Sequence, residues 1–386
     1  MDYDERMEIA SKLPQVGTTI FTVMSQMANE AGAINLSQGF PGYELDGELR
    51  NLVDKYIQLG QNQYAPLAGV PELLEAIANK KKLLYGCELD PQEEITITHG
   101  ATEGIFSGLT TLIRPGDEVI YFEPAYDAYL PAIQLNGGVG VPIRLGSPDY
   151  RIDWSRVRQA MSPKTRLIII NSPHNPSGSV WTKSDVNELR ELVDGTDILI
   201  LSDEVYQHVI FDGLRHESVL SYPDLRSRAL VTMSFGKTFH ATGWRVGYTI
   251  APVELTKELR KVHQFNTFSI NRPFQYALAE YLQRPERYQK LPEFFQQKRD
   301  VFRAAIADSP FELLDCSGTY FQSVSYCQFS DKSDMDMAEW LTKEIGVASI
   351  PVSAFYSNDT DEHVLRFCFA KEDSVLMEAG KRLSAL

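Results

Sequence analysis

The sequence predicts an α/β fold with a mostly parallel central sheet and helices on both faces. Two observations carry this: short runs of branched aliphatic residues alternate with helical patterns through the middle of the chain, and most such runs end in small polar turns. Ile20, Phe21, Met24 and Met27 recur at helical spacing, and Gly32 stands where a C-cap would. Residues 34–41 read as a short strand ending in the tight turn Gly39-Phe40-Pro41, and residues 63–69 as a Pro/Gly loop. A helix follows from Pro71 to about Leu84. Residues 95–98, 117–122, 166–171, 198–203 and 229–233 are the strands, and His99 to Glu103 open a helix directly after the first of them. From about Glu280, long helical patterns give way to short strands at 321–326, 347–351 and 363–370.

Composition narrows the function. A chain of 386 residues suits two or three units, or one large α/β unit with an appendage. A net charge of −15 argues against nucleic acid and gives no reason to expect an anionic membrane surface. No apolar run is long enough to span a bilayer. The acidic start, Met1-Asp2-Tyr3-Asp4-Glu5-Arg6, lacks the order of a signal peptide. Cys87, Cys316, Cys327 and Cys368 are scattered, with no metal-type pair. A reduced, cytoplasmic protein without a metal is the expectation.

The chemistry concentrates between Ser234 and Gly247. An apolar strand breaks into small residues, and Lys237 follows at once. A lysine so placed forms Schiff bases with carbonyl compounds. Ser234 and Arg245 flank it as a hydrogen-bond donor and a fork of charge, both suited to phosphate. A carbonyl and a phosphate on one small molecule point to pyridoxal phosphate. The bland reading is a surface lysine and an ordinary salt bridge. Elsewhere, the strand, small turn and helix start around Gly100-Ala101-Thr102 form an anion site. An arginine inside the apolar strand around Arg366 is costly unless paired.

The pattern S-x-x-K followed by T-G-W-R-x-G resembles the cofactor-lysine segment of the class I/II aminotransferases, the fold-type-I pyridoxal phosphate enzymes, and the likeness runs from Leu36 to Arg366. It implies a large cofactor-binding domain over 46–279 and a small α+β domain from 1–45 and 280–386. It implies Lys237 as Schiff-base lysine and acid–base, Asp203 as partner of the pyridine nitrogen, and Tyr206 on the ring oxygen. Ala101, Thr102, Ser234 and Arg245 would hold the phosphate, Tyr126 would stack on the ring, and Asn175 of N-x-P-x-N-P-x-G would bond its oxygen. Gly39, Asn175 and Arg366 would bind the substrate carboxylate. Tyr64 would reach the phosphate of a partner subunit, making a homodimer with shared sites. His99 and His174 receive no role. Arg272 is either an interface ion pair or the reader of a second carboxylate.

Within the family, S-K-L-P near Ser11, G-T-T-I-F at Gly17, N-L-S-Q-G-F-P and N-Q-Y-A-P look like the methionine- and kynurenine-type enzymes. The activity implied is a ping-pong transfer of the amino group of methionine, an aromatic amino acid, kynurenine or glutamine to a 2-oxo acid. The alternatives are β-elimination from cysteine S-conjugates on the same cofactor, or a non-catalytic regulatory protein that binds it.

Overall fold

Strand β1 (Ile34–Asn35) stands apart from the strands that follow, and β2 (Ile95–Thr98), β3 (Glu118–Glu123), β4 (Val139–Arg144), β5 (Thr165–Asn171), β6 (Leu199–Asp203), β7 (Ala229–Ser234) and β8 (Gly247–Ile250) form one sheet. The structure, a computed structural model, describes residues 10–358 and 360–386; the acidic first six residues lie outside them. The large sheet has the order β2-β8-β7-β6-β5-β3-β4. All its pairings are parallel except the two made by β8.

Alternation along each strand sends side chains to two cores. Ile120, Phe122, Ile168, Ile170, Ile200 and Val231 pack into one cluster. Val119, Tyr121, Leu167, Ile169, Leu201 and Leu230 pack into another, with Ile105, Leu109 and Leu112 of the helix Gly100–Leu112. A sheet buried on both faces needs apolar residues at every position, which is why these strands read as unbroken aliphatic runs.

The C-terminal part adds β9 (Glu312–Leu313), β10 (Phe321–Ser325), β11 (Val347–Ala348), β12 (Ile350–Pro351) and β13 (Val364–Cys368). A four-stranded sheet has the order β12-β13-β10-β9, so β13 is internal and Arg366 faces Ser323 and Ile350 in register. β11 pairs instead with β1. The expected single strand over 347–351 is therefore two. Ser349 divides them, because the two halves hydrogen-bond to different partners. The expected strand over 34–41 is also shorter. Ser37 donates its amide and hydroxyl to Asn35 Oδ1, a local turn that ends the ladder. Leu36 still accepts from the Cys368 amide at 2.7 Å, which holds the segment leading to Gly39 beside β13.

Gly247 shows how tightly the helix start is seated. A Cβ there would stand 2.6 Å from the Met233 carbonyl oxygen, 2.7 Å from the Gly100 carbonyl carbon and 2.9 Å from the Ala101 nitrogen. Gly247→Ala is expected to destabilise the protein by about 1–3 kcal/mol, read from urea denaturation, because only backbone stands in the way.

Candidate active site

Register brings the chemistry together. Thr98 pairs with Gly247, Gly247 with Ser234, Thr232 with Asp203, and Asp203 with Asn171. These residues form one row across the edge of the sheet where β5, β6 and β7 end, the place where open α/β sheets bind ligands. Every site residue expected from the sequence except Tyr64 lines a single cavity over that row.

Lys237 lies in the short helix Phe235–Thr238, which Ser234 caps by accepting from the Gly236 amide at 3.2 Å. Its Nζ donates to the Gly39 carbonyl at 3.0 Å. Burial lowers its pKa to about 8; Arg366 and Arg245 act in the same direction, Cys368 and Asp203 against it. The neutral amine, which is the nucleophile, is thus accessible near neutral pH.

Asp203 is 3% exposed. Its Oδ2 accepts from Tyr129 Oη at 2.6 Å and its Oδ1 from the Val205 amide at 3.2 Å. Burial raises its pKa to about 6, while those two hydrogen bonds and Lys237 pull the other way. No cation forms a salt bridge with Asp203 among the described residues. The geometry suits a cationic N–H brought in by a ligand.

Arg366 is 1% exposed and buried amid aromatic rings, with Phe321 at 3.9 Å and Phe355 at 5.0 Å from its guanidinium carbon. It donates to Asn175 Oδ1 at 2.8 Å and to the Ser37 carbonyl at 3.3 Å, and its Nε has no partner. Asp127 is near enough to favour its charge but forms no ion pair. Burial lowers its pKa to about 10, so it stays charged at neutral pH.

An anion cradle closes the third side. Gly100 has φ +70° and opens the helix Gly100–Leu112, where its N-cap, His99, supplies no side-chain bond. The amides of Ala101 and Thr102 lie in that first turn, whose N–H groups have no partner within the helix. A Cβ at Gly100 would lie 2.8 Å from Arg245 Nη2, which donates to Thr102 Oγ1 at 3.4 Å. Arg245 is itself left-handed, at φ +54°, a conformation that costs a side-chain-bearing residue about 1–3 kcal/mol and tends to mark binding sites. Tyr126 Oη lies 3.2 Å from Thr102 Oγ1.

The pattern of class I and II aminotransferases matches residues 31–383. The chain belongs to that family. A methionine aminotransferase of Escherichia coli is 48% identical over 97% of this chain and 98% of its own. The kynurenine–oxoglutarate transaminase of Dictyostelium discoideum is 32% identical over 96% and 94%. A crystal structure of an Escherichia coli protein identified as having a methionine aminotransferase function superimposes with a TM-score of 0.97 at 47% identity, covering 99% of this chain and all of the other.

This aminotransferase is pyridoxal phosphate-dependent, as its family is, and the cavity fits that group. A cradle of backbone amides with Arg245 would suit the phosphate, the buried Asp203 carboxylate the ring nitrogen, and Lys237 the aldehyde. Tyr64 lies elsewhere: it is 79% exposed, edge-on to Phe268 at 5.4 Å, and its carbonyl accepts from Arg272 Nη1 at 3.5 Å. Arg272 reaches Tyr276 on its other side and does not line the cavity. His99 is exposed, and His174 is buried against Ser177. Sequence reasoning missed Tyr129 and Tyr320. Tyr129 opens the helix Tyr129–Leu135 three residues past Tyr126, and nothing in the local pattern marks it.

Two outcomes are expected for Lys237. In the cofactor-free protein, the rate of Schiff-base formation rises about tenfold per pH unit and levels above about pH 8, where the amine is neutral; stopped-flow absorbance checks this. Lys237→Ala forms no Schiff base and loses turnover by at least about a thousandfold.

Proposed function

We propose that this chain moves the amino group of a large neutral L-amino acid, such as methionine, an aromatic amino acid, kynurenine or glutamine, to a 2-oxo acid by a ping-pong mechanism. The observation that carries the reading is the charge count of the cavity. Its lysine and arginine residues are Lys237, Arg245 and Arg366. One answers an aldehyde, one a phosphate and one an α-carboxylate, so none is left for a side-chain carboxylate. Phe21, Ile105, Val205 and Phe321 supply apolar wall. The methionine and kynurenine specificities of the relatives agree with this.

Pyridoxal phosphate, when bound, supplies a carbonyl that condenses with amines and a ring that withdraws electrons from the substrate's Cα. The protein does the rest. Arg366 takes the α-carboxylate through its unshared N–H groups, and Asn175, with Oδ1 fixed by Arg366, turns its amide NH2 toward the remaining space. That clamp turns the Cα–H bond toward Lys237, an orientation effect. The freed Nζ of Lys237 takes the proton from Cα and later returns one. Asp203 would hold a proton on the ring nitrogen, and Tyr129, which donates to Asp203, keeps that carboxylate oriented.

We also read 46–279 as the cofactor-binding domain and the two ends of the chain as the small one. A homodimer is the natural assembly. Tyr64 and Phe268 present exposed aromatic surface with Arg272 against Tyr64, and such patches mark contacts between subunits. Arg272 then belongs to that interface. No helix among the described residues is long and apolar enough to cross a membrane, and a cytoplasmic location is part of the same proposal.

Adding L-methionine without a 2-oxo acid is expected to convert the Schiff-base absorbance to that of the amine form of the cofactor. An unchanged spectrum would remove methionine from the donors. Arg366→Ala is expected to raise KM for the amino acid by about 100-fold, the worth of a charge-assisted bidentate contact, with cofactor affinity changed far less. Equal losses in both would count against the carboxylate clamp.

A further inference from the structure

The Gly39 carbonyl accepts two hydrogen bonds, from Lys237 Nζ at 3.0 Å and from Tyr320 Oη at 2.8 Å. A carbonyl oxygen has two lone pairs, so both are engaged. Gly39 lies four residues beyond the end of β1, and among the described residues no backbone hydrogen bond reaches its carbonyl. Tyr320, by contrast, is fully buried. Its ring stands edge-on to Tyr206 at 5.2 Å and to Phe321 at 5.0 Å, with Phe295 tilted against it at 5.7 Å. Packed this way, its ring is held in place, with its hydroxyl on the Gly39 carbonyl and beside Tyr206.

We infer that Tyr320 is a positioning residue for the proton-transfer step: its hydroxyl fixes the Gly39 carbonyl, and that carbonyl docks the free amine of Lys237. An amine with one N–H committed to a fixed oxygen has its lone pair aimed rather than free to rotate. Lys237 Nζ also stands against the pair of tyrosine rings, 5.9 Å from the centre of Tyr206 and 5.8 Å from that of Tyr320, which wall it on one side. The charged or titratable groups that face it are Asp203, Arg245, Arg366, Cys368 and Tyr206, and of these Tyr206 shares a hydrogen-bonding contact with the Tyr320 hydroxyl that Tyr320→Phe also removes. The inference rests on the reading of Lys237 as the Schiff-base lysine and proton carrier.

The test is Tyr320→Phe, which deletes one hydroxyl and keeps the ring. Two measurements are made: the single-turnover rate with ordinary and α-deuterated L-methionine, and the pH midpoint for imine formation between the cofactor-free protein and pyridoxal phosphate. The expected result is a rate about tenfold lower, the worth of one hydrogen bond lost in the proton-transfer step. The deuterium effect should be larger, and the midpoint should move to higher pH, since the Gly39 oxygen then gives all its accepting strength to the ammonium form. Phe295→Leu, which loosens the ring but leaves the hydroxyl, should lower the thermal midpoint without enlarging the isotope effect. A Tyr320→Phe rate within about twofold of the parent, an unchanged isotope effect, or a midpoint that stays or falls overturns the positioning role. An imine that survives in Lys237→Ala would instead overturn the reading of Lys237 itself.

Discussion

A guanidinium buried without a carboxylate is the constraint on which this molecule turns. Removing an ion from water costs several kcal/mol even after the protein relaxes, and Arg366 recovers part of that from aromatic faces, one amide oxygen and one backbone carbonyl. The rest waits for a ligand. Because Arg366 sits in the internal strand of the small sheet while its amide partner, Asn175, follows β5 of the large one, the charge also ties the two sheets together across the cavity.

The same low-dielectric setting shapes the other reactive groups. It moves Lys237 toward the neutral amine and Asp203 toward the acid, both by burial first. Beneath them is a buried polar layer. Lys81 Nζ reaches Gln207 at 2.6 Å, and Tyr85 joins Gln207 to His216, which reaches the Ser172 carbonyl at 2.9 Å. Glu204 accepts from Ser202, Ser218 and the Val219 amide. The turn that carries Asp203 and Tyr206 is therefore held from below through its own next residues, Glu204 and Gln207. A buried hydrogen-bonded network of this kind helps to fix that conformation.

The strands of the large sheet were legible because burial on both faces leaves little choice but branched aliphatics, and because small or polar residues must follow where the chain turns at the cavity. Lys237, Asp203 and Arg245 could be read from such turns. Arg366 was legible for the opposite reason, as a charge out of place in an apolar strand. Tyr320 and Tyr129 were not legible, since an aromatic in an aromatic-rich stretch looks like core until its hydroxyl finds a partner 281 or 74 residues away. The split at Ser349 was hidden too. Two partners for one extended run is a fact of the tertiary arrangement, and the local pattern is the same either way.

The reversed strand β8 has a consequence for how the site can change over evolution. Parallel neighbours need a long crossover, whereas antiparallel ones join by a short connection at the same edge. Because β8 runs back against β7, the chain leaves the sheet at Ser234 and re-enters it at Gly247, so Lys237 and Arg245 share one tight loop. An inserted or deleted residue there would displace the Lys237 amine and the Arg245 guanidinium alike. Lengthening this loop is closed as a route to new specificity. New specificity must come instead from a separate stretch of chain, such as the one that carries Phe21, which lines the cavity apart from the anion cradle.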